Sequence, residues 1–179
     1  LAFGSFIGYL GASQQIFQDH FGTGDAFSFY FGGLALVLGG ASLLNSHIVQ
    51  RVGMRYICLR AMSVIVLASA VFLAVQLMVP IVTLWMFVVY AAVLFFSFGL
   101  MFGNLNAIAM EPMGEVAGMA SAIMSSVSSV ISLILGTAIG QMYDNTLLPI
   151  TYGFLGLGSL AWILMKMEQH WHLKTLPPA

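Results

Sequence analysis

"IVLASAVFLAVQLM", residues Ile65 to Met78, decides the architecture. It holds no charge and shows no alternation of apolar with polar residues. An outer-membrane barrel strand would alternate over about 10 residues, so this stretch reads as a helix. Carried back to residue 57, it reaches the ~20 mostly apolar residues that a helix needs to cross a bilayer. Five other stretches share its character, which gives expected spans at 1–18, 26–44, 57–77, 82–106, 116–140 and 149–167. The breaks between them carry polar or helix-stopping residues: "QDHFGTGD", "NSHIVQRVGMRY", "QLMVP", "EPMGEVAG" and "QMYDNTLLP". Pro80, Pro112 and Pro149 each sit at a boundary, where a missing N–H does least harm. The expected fold is an all-α membrane protein of six transmembrane helices.

The rest of the composition agrees. Hydrophobic residues make up 60% of the 179, charged residues only 6%, and the mean hydropathy is +1.00. A soluble domain carries about 25% charge, so the solvent for most of this chain is lipid. A net charge of −1 gives no field for phosphate contacts, which excludes nucleic acid as a partner. The lone Cys58 excludes an internal disulfide and a cysteine-rich metal site, and reads as a small apolar residue. The opening "LAFGSFIGYLGASQQIF" has neither an initiator Met nor a basic n-region. It reads as a helix entered partway rather than a signal peptide, so a longer protein is expected.

Charge sets the expected orientation. If the break holding Arg51 and Arg55 is cytoplasmic, so is the tail, and that side collects Arg51, Arg55, Arg60, Lys166 and Lys174 with Glu111, Glu115 and Glu168. The opposite side keeps Asp19, Asp25 and Asp144 and no Lys or Arg, a strong positive-inside asymmetry. Tyr30, Trp85, Tyr143 and Tyr152 are expected near outer helix ends, and Tyr56 and Trp171 near inner ends, as an aromatic belt.

The helices differ in kind. The third and sixth are plainly apolar apart from Gln76, and the second is rich in glycine at residues 32, 33, 39 and 40. The fifth, "GMASAIMSSVSSVISLILGTAIG", sets Gly118, Ala122 and Ser126 at four-residue spacing, followed by Ser132, Gly136 and Gly140. Such a stripe lets backbones approach closely in lipid; the serines would alternatively face a wet cavity. The first and fourth helices carry amides at depth or near it: Gln14, Gln15 and Gln18, then Asn104 and Asn106. The fourth adds the Phe cluster "LFFSFGLMFGN", with Phe95 and Phe98. Amides in hydrocarbon need partners, so these either glue helices together or line a solute path. On the second reading the path candidates are Gln14, Gln15, Phe95, Phe98 and Asn104. Asp19, at a helix end, reads as solvated rather than as a proton carrier.

Intramembrane chemistry lacks its residues. There is no G-x-S-G turn, no H-E-x-x-H and no deep carboxylate pair. His20, His47, His170 and His172 lie at helix ends or in the tail, so neither an enzyme nor a metal site is expected, and no cofactor.

Two stretches resemble a known family. "NSHIVQRVGMR", Asn45 to Arg55, is similar to the basic loop G-x-L-A-D-R-x-G-R-R of major facilitator halves. Aligned on Gly53, Arg51 and Arg55 match, whereas Ser46, Gln50 and Met54 replace the leading Gly, the Asp and a basic residue. "GNLNAIAMEPMGEVAGMASAIMSSV", Gly103 to Val127, resembles bacterial drug/proton antiporters of the Bcr/CflA type, and "GQMYDNTLLPITYGFLGLG" continues that likeness.

The resemblance implies helices seven to twelve of a twelve-helix transporter, built as a three-plus-three inverted repeat. It implies that the first and fourth helices line a cavity, that the second and fifth meet the other half, and that the third and sixth face lipid. It further implies that Arg51, Gly53 and Arg55 form a gating loop latching helix ends in one conformation. The implied function is proton-coupled efflux of drug-like amphipathic compounds across a bacterial cytoplasmic membrane. The implied partners are lipid, a small-molecule substrate, the missing N-terminal half, and protons bound at a carboxylate outside this chain. An importer of a nutrient or metabolite, or a self-contained six-helix channel or scaffold, remains the alternative.

Overall fold

The computed structural model describes residues 1–175, with the side chains of all of these except 115 and 171–175. Glu115, Trp171, His172 and Lys174, each assigned a place by the sequence, therefore lie outside the described side chains. The described chain is helical nearly throughout. Helix α1 (Ala2–Gln15) runs on into a π-helical turn (Ile16–His20), and a 3-10 turn (Gly24–Ala26) leads into α2 (Phe27–Val52). Then come α3 (Met54–Met78), α4 (Leu84–Met110), a 3-10 segment (Glu111–Val116), α5 (Ala117–Gln141) and α6 (Leu148–Thr175).

Among the described residues, five helical stretches are long and apolar enough to cross a membrane, from Gly24–Val52 onward. The first expected span is the shorter one, because its α-helix stops at Gln15 and widens into the π turn. The largest departure lies at the second break. Residues 45–52, read as loop, continue α2 as helix, and only Gly53 interrupts before α3. Nothing in "NSHIVQRV" forbids helix; a single left-handed residue is enough to separate the two rods. Gly53 has φ 89° and ψ 142°, a conformation open to glycine and strained for other residues.

Helix α4 forms the centre, buried along Phe87, Tyr90, Leu94, Phe98 and Met101. It packs chiefly on α2 and α3, while α1 packs chiefly on α5 and then α6, and α3 also meets α6. Exchanging each helix with the one three places along maps α1–α5 onto α4–α2, and α1–α6 onto α4–α3. The contact pattern is thus internally repeated.

Close approach in lipid depends on small residues, since hydrophobicity gives helices no drive to associate there. Gly8 of α1 meets Gly136 and Gly140 of α5, and Gly4 lies against Leu135 and the Ser132 carbonyl: a Cβ on Gly136 would fall 2.6 Å from Ile7 Cγ2. Gly99 plays the matching part in α4, where a Cβ would fall 2.7 Å from Ala41 Cβ of α2. Within this bundle Gly118, Ala122 and Ser126 have no packing partner: all three are exposed, and nothing lies within 4 Å of a Cβ on Gly118. The part of the stripe packed inside the bundle is Gly136 and Gly140. Between residues 117 and 131 α5 has run clear of α1, whose first residues already meet its second half.

Single polar contacts tie helix pairs together. The Ser69 and Tyr90 hydroxyls lie 3.0 Å apart between α3 and α4, and Gln76 donates to Thr151 Oγ1 at 2.7 Å between α3 and α6. Trp162 Nε1 donates to Ser63 Oγ at 2.8 Å, and Ser5 Oγ to the Gly153 carbonyl at 2.9 Å. Each satisfies a group that would be costly alone in hydrocarbon.

Candidate functional site: a serine- and aromatic-lined cavity beside an arginine latch

The two ends of the bundle carry different chemistry. At one end the start of α3, the end of α4 and the end of α6 converge on Arg55. Its Nη1 lies 2.7 Å from Glu111 Oε2, and its Nη2 and Nε both lie 3.1 Å from Glu168 Oε1. At the other end, His20 Nδ1 donates to the Asn145 carbonyl at 2.8 Å, joining the π turn to the connection before α6. Burial first, and then the charges of Asp19 and Asp144, hold the Tyr143 phenol above its usual range, which gathers those three groups at this second end.

Arg55 is the most enclosed of its trio, its side chain 21% exposed against 48% for Glu111 and 40% for Glu168. Ion pairs this wet contribute about 0–1 kcal/mol to stability. What the trio supplies is geometry, because one planar guanidinium holds two helix ends in register with a third. Arg51 is exposed and forms no ion pair among the described side chains. Of the expected pair only Arg55 is ion-paired among the described side chains, and Gly53 turns the chain two residues before it. The other two described cations are engaged differently: Arg60 lies over the Tyr56 ring at 5.1 Å and Lys166 over Trp162 at 4.3 Å.

Beside the latch opens a cavity of about 650 Å³ between α1, α4, α5 and α6. One wall is a hydroxyl stripe on α5: Ser121, Ser125, Ser128, Ser129 and Ser132. Their spacings of 4, 3, 1 and 3 put all five on one helical face. Ser126 points elsewhere and bonds back to the Ala122 carbonyl at 2.9 Å. Opposite stand Phe3 and Phe102, packed edge to face with ring centroids 5.1 Å apart. Met110 and Met124 add adaptable thioethers above the buried Met62, Met101 and Met165. Asn106 and Glu168 complete the polar lining.

The path candidates sort by helical face. Phe95 and Phe98 are core residues, 3% and 0% exposed, packed with Phe6 at 5.1 and 4.9 Å between ring centroids. They line nothing open; Phe102, one turn beyond Phe98, takes that place. Asn104 is likewise glue: it donates to Asn45 Oδ1 at 2.8 Å and accepts from Asn45 Nδ2 at 3.2 Å, joining α4 to α2. Asn106, two positions on and so turned by about 200°, is the amide that faces the cavity. Gln14 and Gln15 are exposed but away from it, with Gln14 bonded to Gln18 at 3.1 Å. Gln14 stands 11 residues beyond Phe3, about 17 Å further along almost the same face of α1. The sequence reading missed Phe3 and Asn45. Phe3 carries no signal beyond its type; Asn45 was legible as a deep amide once α2 was continued past residue 44.

Among the described residues no group of three or more His, Cys, Asp or Glu is placed to hold a metal ion. No protein-family model matches the chain, and neither does a curated protein or a solved structure.

Proposed function

We propose that this chain is the substrate-handling six-helix unit of a secondary transporter, exporting drug-like amphipathic compounds at the expense of a proton gradient. The observation that carries the reading is the cavity itself. It lies within a bundle of spanning helices, faces hydroxyls with aromatics, and adjoins an ion-pair latch at one end. Cavities of about 300–1,000 Å³, mainly apolar with a few convergent polar groups, are what small-molecule sites require. A flexible Met-bearing wall suits varied ligands. The internally repeated contact pattern supports an inverted-repeat half of major facilitator type.

On this reading the Arg55 end is cytoplasmic, by the positive-inside rule, and the membrane is the bacterial inner membrane. The exposed faces of α2 and α5 then receive a second six-helix unit. The driving proton binds a carboxylate in that unit, since Asp19, Asp25 and Asp144 lie at helix ends or turns. Opening and closing requires contacts that differ between two states, and the Arg55 trio supplies one such set.

The test is dye accumulation in efflux-deficient bacteria carrying the complete reading frame that encodes this chain. Export predicts low accumulation of an amphipathic dye, restored by a protonophore. Accumulation above control cells would establish import instead. Accumulation that follows the dye gradient with or without protonophore would establish a channel.

A further inference from the structure

We infer that the cavity is selective for amphipathic cations, and that the carboxylate of Glu168 reads the charge; this deepens the transport reading and rests on it. Three observations converge. First, Glu168 and Glu111 share a single guanidinium, so the described trio carries one uncompensated negative charge. Of the other described side-chain cations, Lys166 lies on Trp162 and Arg60 on Tyr56, and neither they nor Arg51 line the cavity.

Second, Glu168 lines the cavity, and only its Oε1 is engaged. Its Oε2 is enclosed and receives no donor from the described chain. An enclosed carboxylate oxygen without a donor is costly unless a counter-charge settles nearby, even where the other oxygen is paired and the side chain is 40% exposed, as in Glu168. The cavity is where such a charge has room.

Third, the opposite wall is made for an organic cation rather than an inorganic one. Phe3 and Phe102 present an edge-to-face pair whose ring faces attract a positive group. The serine hydroxyls, free of hydrogen bonds among the described residues, accept from N–H groups on the ligand while the more exposed Met110 and Met124 contact its apolar body. A small hydrated ion would gain nothing from that wall.

The experiment measures equilibrium binding of tetraphenylphosphonium and of its near-isosteric anion tetraphenylborate to the full chain in phosphatidylcholine nanodiscs. Empty nanodiscs give the lipid background, and the readout is the ratio of the two affinities. The wild type is expected to favour the cation. Glu168→Gln should lower the ratio about tenfold, the scale of a unit charge several ångströms away in a medium less polar than water. Glu168→Asp should restore most of it, which separates charge from folding. Phe102→Ala should weaken the cation more than the anion, and Ser128→Ala should leave the ratio unchanged, since neither probe carries an N–H for the hydroxyl to accept. A ratio unchanged in Glu168→Gln, or no cation binding by the wild type, overturns the inference. Because binding needs no gradient, Glu168-dependent cation binding without any transport would refute the transport reading and leave this site standing.

Discussion

Gly8 and Gly136 lie back to back, so that a Cβ on Gly136 would fall 2.9 Å from the Gly8 amide nitrogen. Helices α1 and α5 are in van der Waals contact along their backbones here, and no flexible side-chain tip can yield. Gly136→Ala should cost about 1–3 kcal/mol, the range for forcing extra atoms into a filled site, read as a lower thermal midpoint in detergent. Gly118→Ala, with nothing within 4 Å, should leave the midpoint unchanged or slightly raised. Equal effects would refute this assignment of the interface.

Asn45 and Asn104 should behave as a unit. Removing either leaves the other amide enclosed without its partner. Asn104→Leu and Asn45→Leu should each destabilise by roughly 1–2 kcal/mol. The double variant should cost less than the sum, and strict additivity in a double-mutant cycle would dissolve the pair.

Arg55 and Arg51 should separate in function. At equal membrane levels, Arg55→Gln should lower efflux roughly tenfold, within the scale of a 1–3 kcal/mol coupling. Arg55→Lys should recover only part, because an ammonium lacks the planar fork that spans Glu111 and Glu168. Arg51→Gln should leave efflux near wild type. Normal efflux in Arg55→Gln would remove the latch.

Phe98 and Phe102 are one turn apart and should fail differently. Phe98→Ala empties a site that is 0% exposed and should cost about 3–5 kcal/mol of stability. Phe102→Ala should cost less and change ligand affinity instead. Thermal unfolding and dye binding on the same preparations distinguish the two.

At the far end, the Thr146 hydroxyl donates to Asp144 Oδ1 at 2.6 Å and, aided by the Thr146 backbone N–H, holds that carboxyl below its usual range. A carboxyl with a lowered folded-state pKa stabilises the turn above its ordinary value. That contribution fades as pH falls through the folded value. Thr146→Val should move the Asp144 carbon-13 titration upward, toward an ordinary aspartate. An unmoved midpoint would show that the hydroxyl is not responsible.

Hydrophobic length made the helices legible, since burying a backbone in lipid leaves few alternatives to a helix. Which face of each helix meets which neighbour was not legible. Asn104 and Asn106 look alike in a string, yet one is enclosed against Asn45 and the other opens on the cavity. The fifth helix shows the same limit: its small residues form one continuous stripe by eye, but only the part reached by the short α1 is packed. Arg55 could be picked out by its charge and its neighbourhood, whereas its two partners come from helices more than fifty residues away in sequence.

The junction at Gly53 works mechanically as a crank rather than a tether. With one residue between two rods of 26 and 25 residues, there is no slack to absorb a tilt. The only covalent path from α2 to α3 thus runs through one glycine, two positions before the Arg55 guanidinium.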